Sequence, residues 1–61
     1  MEKIKLTLTK LKNGFWFGMA KNNETHEDLH DQHGNNIECM LNTPENCAKH
    51  LLKELRNNKI L

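Results

Sequence analysis

Residues 26–30 of this 61-residue chain read His26-Glu27-Asp28-Leu29-His30, which fits the pattern H-E-x-x-H. On a helix that spacing puts two imidazoles on one face, where they can grip a zinc ion while the glutamate polarises the metal-bound water. A catalytic zinc also needs a third protein ligand. His33 is the next donor, but at i+7 from His26 it stands ~10.5 Å along a helix axis, too far for one straight helix to close a tetrahedron. Longer forms of the pattern turn the chain at a glycine where His33 stands, and carry a further histidine three residues on; here that position is Asn36. A chain this short also has no spare elements for a substrate cleft or an oxyanion site. Metal-dependent hydrolysis is therefore not expected.

Non-catalytic metal binding has six donors to draw on: His26, His30, His33, Cys39, Cys47 and His50, with Cys47 and His50 at i,i+3. The cysteines stand eight apart rather than at the C-x₂₋₄-C spacing of structural zinc sites. Both fall on apolar faces of expected elements, where a free thiol behaves as a small hydrophobe. A solvated polar loop without a cofactor is the simplest expectation, and His26, His30 and His33 are the candidates for any metal capture. Glu27, Asp28 and Asp31 favour the imidazolium form of these histidines, so acidification makes the loop less negative. The chain has no serine, and glycine only at 14, 18 and 34. Nucleophilic catalysis and a phosphate-cradling loop thus lack candidates, and the expectation is a protein that is not an enzyme.

The elements that position these groups are legible from periodicity. Residues 3–11 alternate, with Ile4, Leu6 and Leu8 on one face and Lys3, Lys5, Thr7 and Thr9 on the other, the pattern of a half-buried strand. Asn13-Gly14 favours positive φ at both central residues of a tight turn. "FWFGMA" follows as the return strand, with Phe15, Phe17 and Met19 on one face and Trp16, Gly18 and Ala20 on the other. The hairpin covers about 3–21. Residues 22–36 are a polar His-rich loop or a short helix over 26–33, where Thr25 and Asp28 resemble a capping box and Leu29 is the lone apolar residue. Ile37, Cys39 and Leu41 alternate inward along a third strand at about 37–41. Thr43 caps a helix at about 44–57, with Pro44 in its first position and Glu45 in its first turn. Cys47 or Ala48, then Leu51, Leu52 and Leu55, form its apolar stripe.

These pieces assemble as an α+β fold, β-β-(loop)-β-α, with a three-stranded mainly antiparallel sheet and one C-terminal helix on one face. Ile4, Leu6, Leu8, Phe15, Phe17, Met19, Ile37, Cys39 and Leu41 would meet the helix. The other face would display Trp16, Gly18 and Ala20 with Lys3, Lys5, Thr7, Thr9, Glu38 and Met40. Chains of this size bury only about 60% of their unfolded surface. Each large side chain buried contributes roughly 1.5–3 kcal/mol, while ordering backbone costs about 1–2 kcal/mol per residue. One layer on one layer is thin, and self-association is expected.

Apolar residues make up 36% of the chain, charged residues 28%, and the mean hydropathy is −0.83, polar but short of the disordered regime. No stretch approaches the ~20 apolar residues of a membrane span, and "MEKIKLTLTK" lacks the apolar core of a signal peptide. The cysteines then read as reduced thiols in a cytoplasm. Nine asparagines, and eight lysines against one arginine, point to an A/T-rich genome, that of a low-GC bacterium or of a phage or plasmid it carries. The net charge of +1 conceals a basic N-terminal third, an acidic middle free of Lys and Arg over 22–46, and a basic C-terminal segment.

The functional expectation is a small interaction or regulatory protein, a homodimer or the binder of a protein partner, acting through its sheet face or a strand edge. Trp16, Lys3, Lys5, Thr7 and Thr9 are the expected contact residues. An alternative uses Trp16 to stack a base and the lysines to meet phosphates of single-stranded nucleic acid. A zinc-binding protein using the His-rich loop is the third reading.

Overall fold

The computed structural model describes residues 3–61. Its order is β1 (Ile4–Lys10), β2 (Trp16–Asn22), β3 (Glu38–Leu41) and α1 (Pro44–Asn57). The sheet runs β1-β2-β3 with both pairs antiparallel, and α1 packs on it, giving the α+β arrangement read from the alternation.

The hairpin turn is one residue longer than the tight Asn-Gly turn expected. Leu11 N–H donates to Phe15 O (2.7 Å) and Gly14 N–H to Leu11 O (3.1 Å), leaving Lys12–Gly14 as a three-residue loop. Only Gly14 has positive φ (87°), while the Asn13 side-chain oxygen accepts from Phe15 N–H at 3.0 Å. This is the type I turn closed by a left-handed glycine.

That single residue inverts the return strand. A two-residue loop would set Leu8 opposite Met19. Here Leu8 lies opposite Gly18 and Leu6 opposite Ala20, while Thr7 meets Met19 and Thr9 meets Phe17. Because side chains alternate with period two, a one-residue slip exchanges both faces. The assignment of Phe15, Phe17 and Met19 to the helix side is thereby corrected. Gly18 and Ala20 take that side, and Trp16 shares it.

The helix explains why. A Cβ on Gly18 would lie 2.9 Å from Leu51 Cδ1, 2.9 Å from Leu8 Cδ2 and 3.3 Å from Cys39 Sγ. The missing side chain lets the helix settle onto the sheet, whereas Phe17 and Met19 beneath it would hold it off. Ala20, Ile37, Cys47, Leu51 and Leu55 are buried. Ile4, Leu6, Leu8, Leu29, Cys39 and Ile60 pack around this core.

Thr43 caps α1, its Oγ1 accepting from Asn46 N–H at 3.2 Å, with Pro44 in the first turn where its missing N–H costs nothing. Cys47, Leu51 and Leu55, at i, i+4 and i+8, form the buried stripe; Ala48 and Leu52 are half-buried at its margin. Asn58 closes the helix. Its Nδ2 donates to Glu54 O (2.8 Å), and its Oδ1 accepts from Gln32 N–H (3.0 Å), tying the helix end to the preceding loop.

Residues 23–36 contain no helix. Asn22 Oδ1 accepts from Glu24 and Thr25 N–H at 2.8 and 3.0 Å, and His26 adopts a left-handed φ of 63°. The chain then runs back along β2, with Asn22 N–H donating to Glu27 O (2.8 Å) and Leu29 N–H to Ala20 O (3.0 Å). Ile37 N–H donates to Leu29 O, and Ala20 N–H to Ile37 O, each at 3.0 Å. Leu29, a single apolar residue, suffices to anchor the segment, because backbone pairing to β2 supplies what a helical stripe would otherwise provide.

Candidate functional site

The histidine loop fails the geometry its sequence suggested. Left-handed backbone at His26, followed by strand-like pairing at 27–29, keeps His26 and His30 off a common helical face. His26, His30 and His33 are all exposed. Among the described residues, no group of three or more His, Cys, Asp or Glu side chains is placed to hold a metal ion, and His26, His30 and His33 are not brought together as one. His50 lies on α1 with its Nε2 4.0 Å from Glu54 Oε1.

The loop is organised instead by Asp31. Its Oδ1 accepts from His33 N–H at 2.8 Å and Asn35 N–H at 3.0 Å, while Gly34 N–H donates to Asp31 O at 3.1 Å. These contacts favour the ionised carboxylate. The Asn35 N–H, then the His33 N–H and the nearby imidazoles of His33 and His30, hold the Asp31 carboxyl below its ordinary value. An aspartate that opens the tight turn 31–34 and accepts from the amide two residues on is a folding device.

The five expected contact residues divide between two faces. Lys5, Thr7 and Thr9 lie on the open side of the sheet, with Thr7 half-buried and the other two exposed. Lys3 is exposed, and its carbonyl accepts from Asn23 N–H at 2.9 Å. Trp16 is half-buried on the helix side, across from Lys10 and Leu41, and its carbonyl accepts from the Cys47 thiol at 3.2 Å. The expectation that Trp16 accompanies Lys5, Thr7 and Thr9 is therefore corrected, for the turn-length reason given above.

In place of the tryptophan, the open face displays the residues assigned to the core. Phe17 stands between Thr9 and Met40, and Met19 between Thr7 and Glu38. Phe17 and Met19 are half-buried, Phe15 is 43% exposed and Met40 53%. Among the described residues, no element covers them. The row Thr9–Phe17–Met40 carries no charge. Lys5 and Lys21 occupy the opposite end, where Lys21 Nζ reaches Asp28 Oδ1 at 3.7 Å. Among the described residues there is no pocket and no helix long and apolar enough to cross a membrane.

A second constellation went unrecognised in the sequence. Cys39 on β3 and Cys47 on α1 bring their Sγ atoms to 2.8 Å, and Cys39 Sγ also lies 3.5 Å from Cys47 O. Burial, then the adjoining Cys47 thiol, push the Cys39 thiol up to about 12. Inward placement on consecutive elements joined by a short link was the available signal. Comparison of the chain with protein-family models, curated proteins and solved structures finds no match.

Proposed function

We propose that this chain is a non-enzymatic interaction protein that self-associates through the open face of its sheet. One observation carries the proposal: Phe17, Met19 and Met40, with Phe15 beside them, line a sheet face that no element among the described residues covers. Adjoining apolar side chains on one face mark an interaction surface better than scattered ones. The occupant is a second copy, because a two-fold contact sets each patch against itself and like charges then repel. The charge-free row Thr9–Phe17–Met40 meets that requirement, with Glu38 beside Met19 and Lys5 and Lys21 left at the rim. The lysines along β1 protect its free edge, which favours the face over strand addition.

Trp16 and Lys5 lie on opposite sides of the sheet, so a nucleic-acid strand stacked on one does not lie against the other. The Asn- and Lys-rich composition supports an origin in a low-GC bacterium, or in a phage or plasmid it carries, and a cytoplasmic setting is proposed with it.

Sedimentation or light scattering across a concentration series tests the proposal. The wild-type chain is expected to run as a dimer. Met40→Glu, at a position too exposed for the fold to depend on it, should weaken dimerisation at least ~10-fold by burying an unpaired charge. A wild-type monomer at the highest concentrations, or a Met40→Glu dimer as tight as the parent, overturns it.

A further inference from the structure

We infer that Cys39 and Cys47 are a redox pair that closes to an intramolecular disulfide, stapling β3 to α1. Two non-bonded sulfurs do not ordinarily approach to 2.8 Å, and the bond itself requires about 2.05 Å. Both thiols already point into the same seam between sheet and helix. Cys39 lies opposite Gly18, whose missing Cβ leaves room beside the Cys39 sulfur. Closure therefore asks the two sulfurs to come closer by less than ~1 Å.

Burial also assigns the order of events. Cys47 is fully buried and Cys39 half-buried, so a dissolved oxidant reaches Cys39 first. The co-reactant is a low-molecular-weight disulfide such as oxidised glutathione. The Cys39 thiolate attacks one of its sulfurs, forming a mixed disulfide and releasing one glutathione thiolate. The Cys47 thiolate then attacks the Cys39 sulfur, forming the Cys39–Cys47 bond and expelling the second glutathione. The two cysteine protons pass to the two released thiolates. Two cysteines lose two electrons in all, and one glutathione disulfide gains them; a dithiol reductant reverses the sequence. Because the Cys39 thiolate is scarce at neutral pH, exchange at Cys39 in the folded chain is slow.

The bond would close a short ring across the β3–α1 connection and hold the helix on a thin core. It lies on the helix side of the sheet, away from Phe17 and Met40, so its outcome is independent of self-association.

The full chain, equilibrated in glutathione buffers from reducing to oxidising and quenched with acid, gives the test. Expected are loss of both titratable thiols, an intact mass lower by two hydrogens with no chain-to-chain link, and a melting temperature raised on the order of 10 °C. Cys39→Ala, at the half-buried position, should melt at the same temperature in both buffers. Two free thiols in the folded wild-type chain at the oxidising end overturn the inference. So do glutathione carried on both cysteines, a disulfide formed only between chains, or equal melting temperatures for the two wild-type forms.

Discussion

Gly18→Ala probes the contact on which the orientation of the sheet depends. The added methyl would meet Leu51 Cδ1 and Leu8 Cδ2, each at 2.9 Å, and Cys39 Sγ at 3.3 Å. Leu8 is half-buried and can swing outward, whereas Leu51 is fully enclosed, so any shift of its Cδ1 presses on the side chains packed around it. Overpacking of this kind costs about 1–3 kcal/mol. Alanine restricts the unfolded chain more than glycine, returning roughly 0.5–1 kcal/mol. The net expectation is a loss of about 1 kcal/mol, in a chain of this length whose total stability is on the order of 3–9 kcal/mol. Gly18→Val directs two more methyls at the same neighbours and should lose about 3 kcal/mol. Urea unfolding followed by far-ultraviolet circular dichroism measures both. With a slope near ~1 kcal/mol per molar, the Gly18→Ala midpoint should fall by about 1 M. A Gly18→Ala chain as stable as its parent would mean that α1 does not rest on Gly18, and the face assignment would fall with it.

Other perturbations separate local devices from the core. Thr43→Ala removes the acceptor for Asn46 N–H and should lower stability by about 1 kcal/mol, read as a melting point lower by roughly 4–8 °C. Ile37→Ala, at a side chain only 3% exposed, should cost about 2–5 kcal/mol, a large share of the total, and lower the urea midpoint more than any other change named here. His26→Asn replaces an exposed left-handed residue with one that tolerates that backbone, so thermal melting should show equal or slightly higher stability; a clear drop would assign the imidazole a role. Asp31 titrates below its ordinary value of 3.8 in the folded chain. Its contribution to loop order is thus complete above that value and is lost as pH falls through the lower, folded one. An NMR titration should show the His33 and Asn35 amides moving with the Asp31 carboxyl, and a midpoint at or above 3.8 would refute the assignment.

Local chemistry was enough to specify most of the architecture. Alternation over 4–8, an Asn-Gly turn, and Thr43-Pro44-Glu45 ahead of an apolar stripe all encode their structure within a few residues. The packing of one helix on a three-stranded sheet follows from those stripes. What lay beyond local information was the length of one turn and everything that depends on it. Lys12-Asn13-Gly14 suits a two- or a three-residue loop, and both faces of β2 offer apolar residues, so hydrophobicity cannot choose between them. The choice is made by the helix, which crosses β2 on the face that carries Gly18 and Ala20. It places Trp16 on the covered side and Phe17 and Met19 on the open one. The same holds for the loop and the thiols. His26-Glu27-Asp28-Leu29-His30 has a helical spelling, but β2 offers backbone partners at Ala20 and Asn22 that a lone leucine could not outbid. Cys39 and Cys47 meet because strand and helix fold back on each other, a proximity in space that an eight-residue separation along the chain does not express.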